Sequence, residues 1–537
     1  MEHFDFLKKN WIVLFIFCIL IFIIYGQSLS GDFVYDDRNI LANIETLSGV
    51  KNIGQTIMHP FWSAENGLYR PTTLLSYAGN LLIFGPSPDA FHFINLLLYL
   101  FVCFFIYLFL KKLFRQEAWA FGVALLFLVL PIHTEVVANI SGRSELLALF
   151  FSLLVLLELV KERVNFWLMG LWALLAIGSK ETALAVFPLI FIVLYIKEKR
   201  LNLEILKKYF RDISAVFVAF SFYFVLRFFS LGINNFFGVK TSLIENPLIF
   251  TDLGERIATA FKILWMYFQK MLWPANLCSD YSYNQIPVIH NFFNLETLLG
   301  IALLLISIIL IIFYLKKKPE ISLGFGIFIF SFLPMANILF PTGTIAGERL
   351  FFFPSFGFAL IISFVFFKFY GLINNKNLKN LLVGLIILLL LFYGIISARR
   401  QAVWLSEESL FLSAGQCAPQ SVLSRSNSGA IYLLKGDLDK AEEELKFAKS
   451  IKPIYSKGLN NLGLVYFRKG EKEKARELYL EAIKQDFPYS GAYENLVLLY
   501  LSEENTNMAK HWLMYLYPGK EELIDDLIEN YMKDFKK

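Results

Sequence analysis

Charge is what this sequence lacks most. Only 18% of its 537 residues are charged, against about 25% in a soluble globular chain. That shortfall excludes an ordinary soluble protein over the whole length. The net charge of +5 is carried by short Lys/Arg clusters rather than a stripe, so no nucleic-acid partner is indicated. Cysteine is also scarce. Of four, Cys18 and Cys103 lie inside apolar runs, and Cys278 and Cys417 lie outside them. With no CxxC or Cys/His spacing, a zinc module is excluded. Unclustered cysteines read as small hydrophobes, although Cys278 and Cys417 could pair in an oxidising compartment.

Apolar bulk takes the place of charge. Hydrophobic residues make up 57% of the chain, with 57 Phe among them. Residues 1–398 hold long apolar runs, whereas the remainder looks like a soluble helical protein. The expected fold is all-α: a polytopic transmembrane bundle over 1–398, a linker over 399–423, and a repeat domain over 424–537. A bilayer core takes about 20 apolar residues in a helix. Eleven spans are expected, near 11–27, 91–110, 118–133, 144–160, 164–179, 182–196, 213–230, 295–315, 321–338, 350–370 and 380–398. Residues 256–273 carry Arg256, Lys262 and Lys270 and read as an amphipathic helix lying in the interface. The basic clusters then fall on the cytoplasmic side. The N-terminus is placed inside, unless the first apolar run is a cleaved signal, and the repeat domain outside.

The C-terminal part repeats every 34 residues: Tyr432, Tyr466 and Tyr500, and likewise Ala441, Ala475 and Ala509. Gly436 and Gly470 fit turns, and Pro453 and Pro488 close the units. This is the tetratricopeptide pattern, with two clear repeats and a degenerate third.

Polar residues in a membrane chain are costly and mark sites. Here they gather at the expected outer face. Asp36 and Asp37 follow the first span, and Arg70 precedes Pro71. His133 and Glu135 end the third span, and Arg143 and Glu145 open the fourth. Lys180 and Glu181 join the fifth and sixth, and Glu348 and Arg349 fill the last outer turn. Each has a bland reading: a solvated turn, a helix-end ion pair, a structural histidine. Their coincidence on one face favours a shared site.

These stretches resemble the transmembrane and tetratricopeptide-repeat O-mannosyltransferase family, of the GT-C glycosyltransferases. The matching motifs are Phe33-Val34-Tyr35-Asp36-Asp37, Tyr69-Arg70-Pro71, Phe91-His92-Phe93-Ile94-Asn95-Leu96, Pro131-Ile132-His133-Thr134-Glu135, Ile140-Ser141-Gly142-Arg143-Ser144-Glu145, Ser179-Lys180-Glu181-Thr182, Phe332-Leu333-Pro334-Met335-Ala336-Asn337 and Gly347-Glu348-Arg349. The family's protein-mannosylating members carry a longer repeat array, so the chain looks like a prokaryotic version. The resemblance implies a GT-C fold, an acidic catalytic residue in the first outer loop, a polyprenyl-phosphate-linked sugar as donor, and transfer on the non-cytoplasmic face to a protein or glycan hydroxyl. The base is placed at Asp36 or Asp37, with Asp36 ahead. Arg349, Arg70, Arg143 and Lys180 would clamp the phosphate. His133, Glu135, Glu145, Glu181 and Glu348 would line the cavity. No metal or other cofactor is required, since cations can neutralise the phosphate. The repeats would bind acceptor or partner proteins. The rivals are a transporter, a membrane scaffold, and a lipid-linked glycan polymerase or ligase.

Overall fold

The computed structural model describes residues 2–43, 47, 53–62, 67–236, 241–485 and 489–535. Pro488, expected to close the second repeat, lies outside the described residues. Among the described residues the chain is helical and has no strand. It forms two compact units. One comprises Met1–Ser242, Asn246–Ser279 and Val288–Leu410. The other comprises Leu243–Glu245, Asp280–Pro287 and Phe411–Lys537.

In the first unit each of the eleven expected spans coincides with a helix. Among the described residues six helices are long and apolar enough to cross a membrane: Asn10–Ser30, Pro88–Phe114, Phe210–Leu231, Leu295–Tyr314, Glu348–Leu372 and Lys376–Trp404. A seventh is added if Glu117–Val129 and Pro131–Ala138, bent by 56°, make one broken span. The chain is thus a multi-pass membrane protein, but the expected count of eleven is not confirmed. The remaining helices are short. Phe166–Ile177 has 12 residues, Val186–Glu198 has 13 and Pro319–Phe332 has 14, against about 20 for a full crossing. Arg143–Val160 is longer but carries Arg143, Glu145 and Glu158.

The shortening has a local cause. Glu117–Val129 stops before Pro131, which lacks the N–H needed to continue the ladder. Phe166–Ile177 stops at Gly178, and Pro319–Phe332 stops before Pro334. The motifs that carry the charges therefore also end the helices. Leu253–Leu272 covers the stretch read as interfacial. It buries Thr259, Ile263, Tyr267 and Met271, a four-residue recurrence typical of a one-sided amphipathic helix.

In the second unit three helical pairs follow one another: Val422–Leu434 with Leu438–Ile451, Ser456–Arg468 with Lys472–Ile483, and Ser490–Leu501 with Thr506–Leu516. Gly436 and Gly470 occupy the turns at φ +79° and +83°, where a side chain is disfavoured. The third turn has Glu504 at φ +59°, which accounts for its degenerate appearance in the sequence. The stretch read as a linker is helical from Glu407 to Cys417. Residues 280–287 join this unit: Val422 donates its N–H to the Tyr283 carbonyl at 2.7 Å, and Asp280 accepts from the hydroxyls of Ser421 and Ser424 at 2.5 and 2.6 Å.

Candidate active site

The candidate site lies wholly within the membrane unit and begins at the first outer segment. Extended Val34 leads into a single 3-10 turn, Tyr35–Asp37. Tyr35 sits at φ +51°, a left-handed conformation that bulky residues rarely take. The turn sends its two carboxylates into different surroundings. Asp37 is buried and accepts the N–H of Ser141 at 2.7 Å and of Val34 at 3.3 Å. Asp36 keeps 31% of its side chain exposed.

The partner of Asp37 is itself built. Asn139 accepts from both the N–H and the hydroxyl of Ser141, at 3.1 and 3.0 Å. A Cβ on Gly142 would lie 2.2 Å from the Val136 carbonyl oxygen, so the turn accepts only glycine there. Arg143 follows, fully buried. Its guanidinium donates to Asn95 Oδ1 at 2.8 Å, Asn80 Oδ1 at 3.1 Å, and the carbonyls of Phe91 and Ser76 at 2.8 and 3.3 Å. It also lies over the rings of Tyr77 and Phe91, 5.0 Å from each centroid. Arg143 is thus occupied in tying helices together.

Two charge clusters stand beside this loop. In the first, Arg349 Nη1 lies 2.9 Å from Glu135 Oε1 and 3.8 Å from Asp36 Oδ2. The Arg349 backbone N–H also donates to Glu135 Oε2 at 2.9 Å. One buried carboxylate therefore grips Arg349 at both ends. Glu348 is turned elsewhere: Arg400 pairs with it at 2.7 Å, and the Cys278 N–H donates to it at 2.6 Å. The Tyr267 hydroxyl bridges the N–H and carbonyl of Gly347, both at 2.7 Å.

In the second cluster, Lys180 pairs with Glu145, and both are buried. Glu181 lies between Arg70 at 3.3 Å and Arg227 at 3.2 Å. Lys180 is within electrostatic range of both Arg70 and Arg349, so the clusters are neighbours. His133 is buried, with Nδ1 2.9 Å from the Tyr99 hydroxyl and Nε2 2.7 Å from the Ser355 hydroxyl. The structure therefore brings together Asp36, Glu135, Arg349, Glu145, Lys180, Arg70 and Glu181. It engages His133 and Arg143 in buried hydrogen bonds and Glu348 in an ion pair with Arg400.

Several participants were not singled out from the sequence. Arg227 is a cation set among apolar residues near the end of the Phe-rich helix Phe210–Leu231, and the cost of a charge there was the signal that could have found it. Arg400 was hidden by its place in the last turn of a span. Asn95 stands within a quoted motif but had no role. Tyr267 and the Ser141 N–H carry no sequence signal.

Electrostatics separates the acids further. Burial lifts Asp37 from 3.8 to about 7, against the pull of the two backbone N–H groups. Burial would raise Glu181 as well, but Arg70 and Arg227 hold it down to about 2. Burial pushes the Lys180 ammonium down, with Glu145 opposing. The folded protein thus keeps a proton on Asp37 that an unfolded chain has released. The stability linked to that proton is fully present below about pH 4 and is lost as pH rises through about 7. We expect the melting temperature of Asp37→Asn, relative to wild type in detergent, to rise between pH 5 and 7.5 and then level off. A flat difference across that window would contradict the assignment.

Comparisons with known proteins place this geometry in context. Residues 240–308 match the family model described as "Protein O-mannosyl-transferase TMTC, DUF1736", and residues 456–487 match the tetratricopeptide repeat. A Caenorhabditis elegans protein O-mannosyl-transferase is 29% identical, over 81% of this chain and 62% of its own length. Protein O-mannosyl-transferase TMTC1 of Homo sapiens is 26% identical, over 81% of this chain and 55% of its own. TMTC4 of Homo sapiens is 28% identical, over 77% and 63%. The resemblance read from the motifs is borne out. The chain spans 55–63% of the length of these relatives. They are animal proteins, and the expectation of a prokaryotic version is not borne out.

Proposed function

We propose that this chain is a GT-C-type membrane glycosyltransferase. It moves a hexose, mannose in the first instance, from a polyprenyl phosphate to a hydroxyl of a protein acceptor, on the exoplasmic face and with inversion. One observation carries the proposal: a partly exposed carboxylate, Asp36, stands 3.8 Å from the firmly held guanidinium of Arg349. The chemistry needs such a pair. The acceptor oxygen attacks the anomeric carbon, the bond from that carbon to the phosphate oxygen breaks, and the hydroxyl proton passes to Asp36 as general base. Arg349 then neutralises the departing phosphate, assisted by Arg70. A single displacement inverts the anomeric centre, and no metal is needed for the charge.

The roles divide by exposure. Asp37 positions the loop, because both its oxygens are taken by backbone N–H groups. Glu135 aims Arg349. Lys180 and Glu145 form a buried support, and Arg143 and His133 hold the helices. The N-terminus is placed in the cytoplasm and the repeats outside, because that arrangement keeps the basic clusters on the cytoplasmic side. The names of the relatives support mannose as the sugar and protein as the acceptor.

The test supplies membranes containing the wild-type protein with labelled polyprenyl-phosphate mannose, polyprenyl-phosphate glucose, or a polyprenyl-diphosphate oligosaccharide. Transfer to protein is expected from a monophosphate donor. Transfer from the diphosphate alone, or from none of them, would sink the proposal.

A further inference from the structure

Membrane topology places lysines at the end of a span, but it does not require two of them on one ring. Helix Pro319–Phe332 packs along helix Phe352–Leu372, and two glycines set how close they come. A Cβ on Gly324 would lie 2.6 Å from Ile361 Cγ1, and one on Gly357 would lie 2.3 Å from the Gly324 carbonyl oxygen. This close crossing brings Lys318, just before the first helix, to Lys368 in the last turns of the second. Their ammonium groups stand 5.8 and 5.7 Å from the centre of the same ring, that of Phe364. The ring itself is buried.

Neither lysine pairs with a carboxylate among the described residues. The Lys368 ammonium instead pushes Lys318 below the usual lysine value, and Glu320 opposes only as the smallest of the influences on it. Lys318 is also the N-cap of Pro319–Phe332, which no side chain caps. The open N–H groups of that helix end add partial positive charge at the same place. Lys317, next in the chain, holds its ammonium 4.3 Å from the Phe313 ring centre. Like charges gathered in this way repel unless an anion joins them.

The location indicates which anion. Lys368 is sixteen residues past the start of Phe352–Leu372, about 24 Å along the axis at 1.5 Å per residue. Glu348 and Arg349 stand just before that start. The two lysines therefore lie at the opposite end of the span from the candidate active site. Around them Phe313, Val365, Phe369 and Leu372 are exposed, an apolar surface suited to acyl chains. A free phosphate would engage the cations and leave that surface bare, whereas a phospholipid uses both.

We infer that Lys318 and Lys368 hold the headgroup of a phospholipid ending in a phosphomonoester, in the leaflet remote from the candidate active site. Such a group carries about −1.5 to −2 charges at pH 7, enough for both ammoniums, and a diester phosphate carries one. The Phe364 ring keeps both cations in place from below. The inference goes beyond the transfer reading and does not rest on it.

The probe is fluorescent phosphatidic acid, titrated by anisotropy against the full-length protein in nonionic detergent without any sugar donor. Wild type is expected to bind it roughly fivefold more tightly than fluorescent phosphatidylglycerol, the worth of one charge near a membrane surface. Lys318→Gln with Lys368→Gln should lower affinity more than about tenfold, and Lys318→Arg with Lys368→Arg should retain it. Arg200→Gln with Lys207→Gln removes two exposed cations of another basic cluster and should leave binding unchanged. Soluble glycerol 3-phosphate should not displace the lipid. Melting temperatures are read on the same preparations. If the Gln pair melts early, Lys368→Gln alone, at an exposed position, is compared and should lower affinity roughly fivefold. No binding by wild type, equal affinity for the two lipids, an equal loss in the Arg200/Lys207 variant, displacement by glycerol 3-phosphate, or folded Gln variants that bind like wild type would each overturn the inference.

Discussion

Asp36→Asn is expected to lower transfer by roughly 10²–10⁴-fold, the usual worth of a positioned general base, without unfolding the protein. The asparagine has the same shape but cannot take the acceptor proton. Asp36 is partly exposed and meets Arg349 only at 3.8 Å, whereas the strong partner of Arg349 is Glu135 at 2.9 Å. Losing the Asp36 charge therefore leaves the cation paired and the fold supported. The measurement is initial rate from a polyprenyl-phosphate sugar, with the melting temperature read on the same preparation. A variant with wild-type rate would remove Asp36 from the chemistry. A variant that is inactive and also melts early would return it to a structural role.

Lys180→Met should have the largest effect on stability. Lys180 and Glu145 are 3% and 1% exposed, so removing the cation strands a carboxylate away from water. Breaking a buried pair in this way typically costs about 3–5 kcal/mol. Replacing both partners, as Lys180→Met with Glu145→Leu, should recover most of that loss, because neither charge then needs a partner. The comparison of single and double variants by thermal melting decides the matter. If the double variant melts with wild type and still transfers, the pair is scaffold. If it melts with wild type and is inactive, Lys180 takes part in binding the donor. A single variant as stable as wild type would contradict the burial argument.

The difference between what the sequence disclosed and what it concealed follows from the kind of interaction involved. The helices were legible because apolar runs and a 34-residue period are local patterns. Their lengths were less so, since Pro131, Gly178 and Pro334 end helices inside stretches whose mean hydropathy still looks like a full span. The charged motifs were visible as exceptions to an apolar background. Their partners were not. Asp36 and Asp37 are neighbours in the chain, yet one meets Arg349 and the other the Ser141 N–H, and only the three-dimensional path of the turn separates them. Arg143 and Arg349 look alike as cations near span ends. One is surrounded by carbonyl and amide oxygens, and the other faces two carboxylates. Arg227 escaped notice because it is set among apolar residues, although it completes the grip on Glu181.

The first outer segment does not hold its shape unaided. The Asp32 N–H donates to the Leu405 carbonyl at 3.0 Å, the Tyr35 N–H reaches Glu407 at 3.4 Å, and Arg38 pairs with the same carboxylate. Those partners are synthesised more than 360 residues later. During biosynthesis, the loop bearing Asp36 therefore waits through the insertion of every intervening helix before its last anchors emerge. A nascent chain halted before residue 405 could lodge its helices in the bilayer and remain without a competent base, so that activity arrives only once the membrane unit is complete.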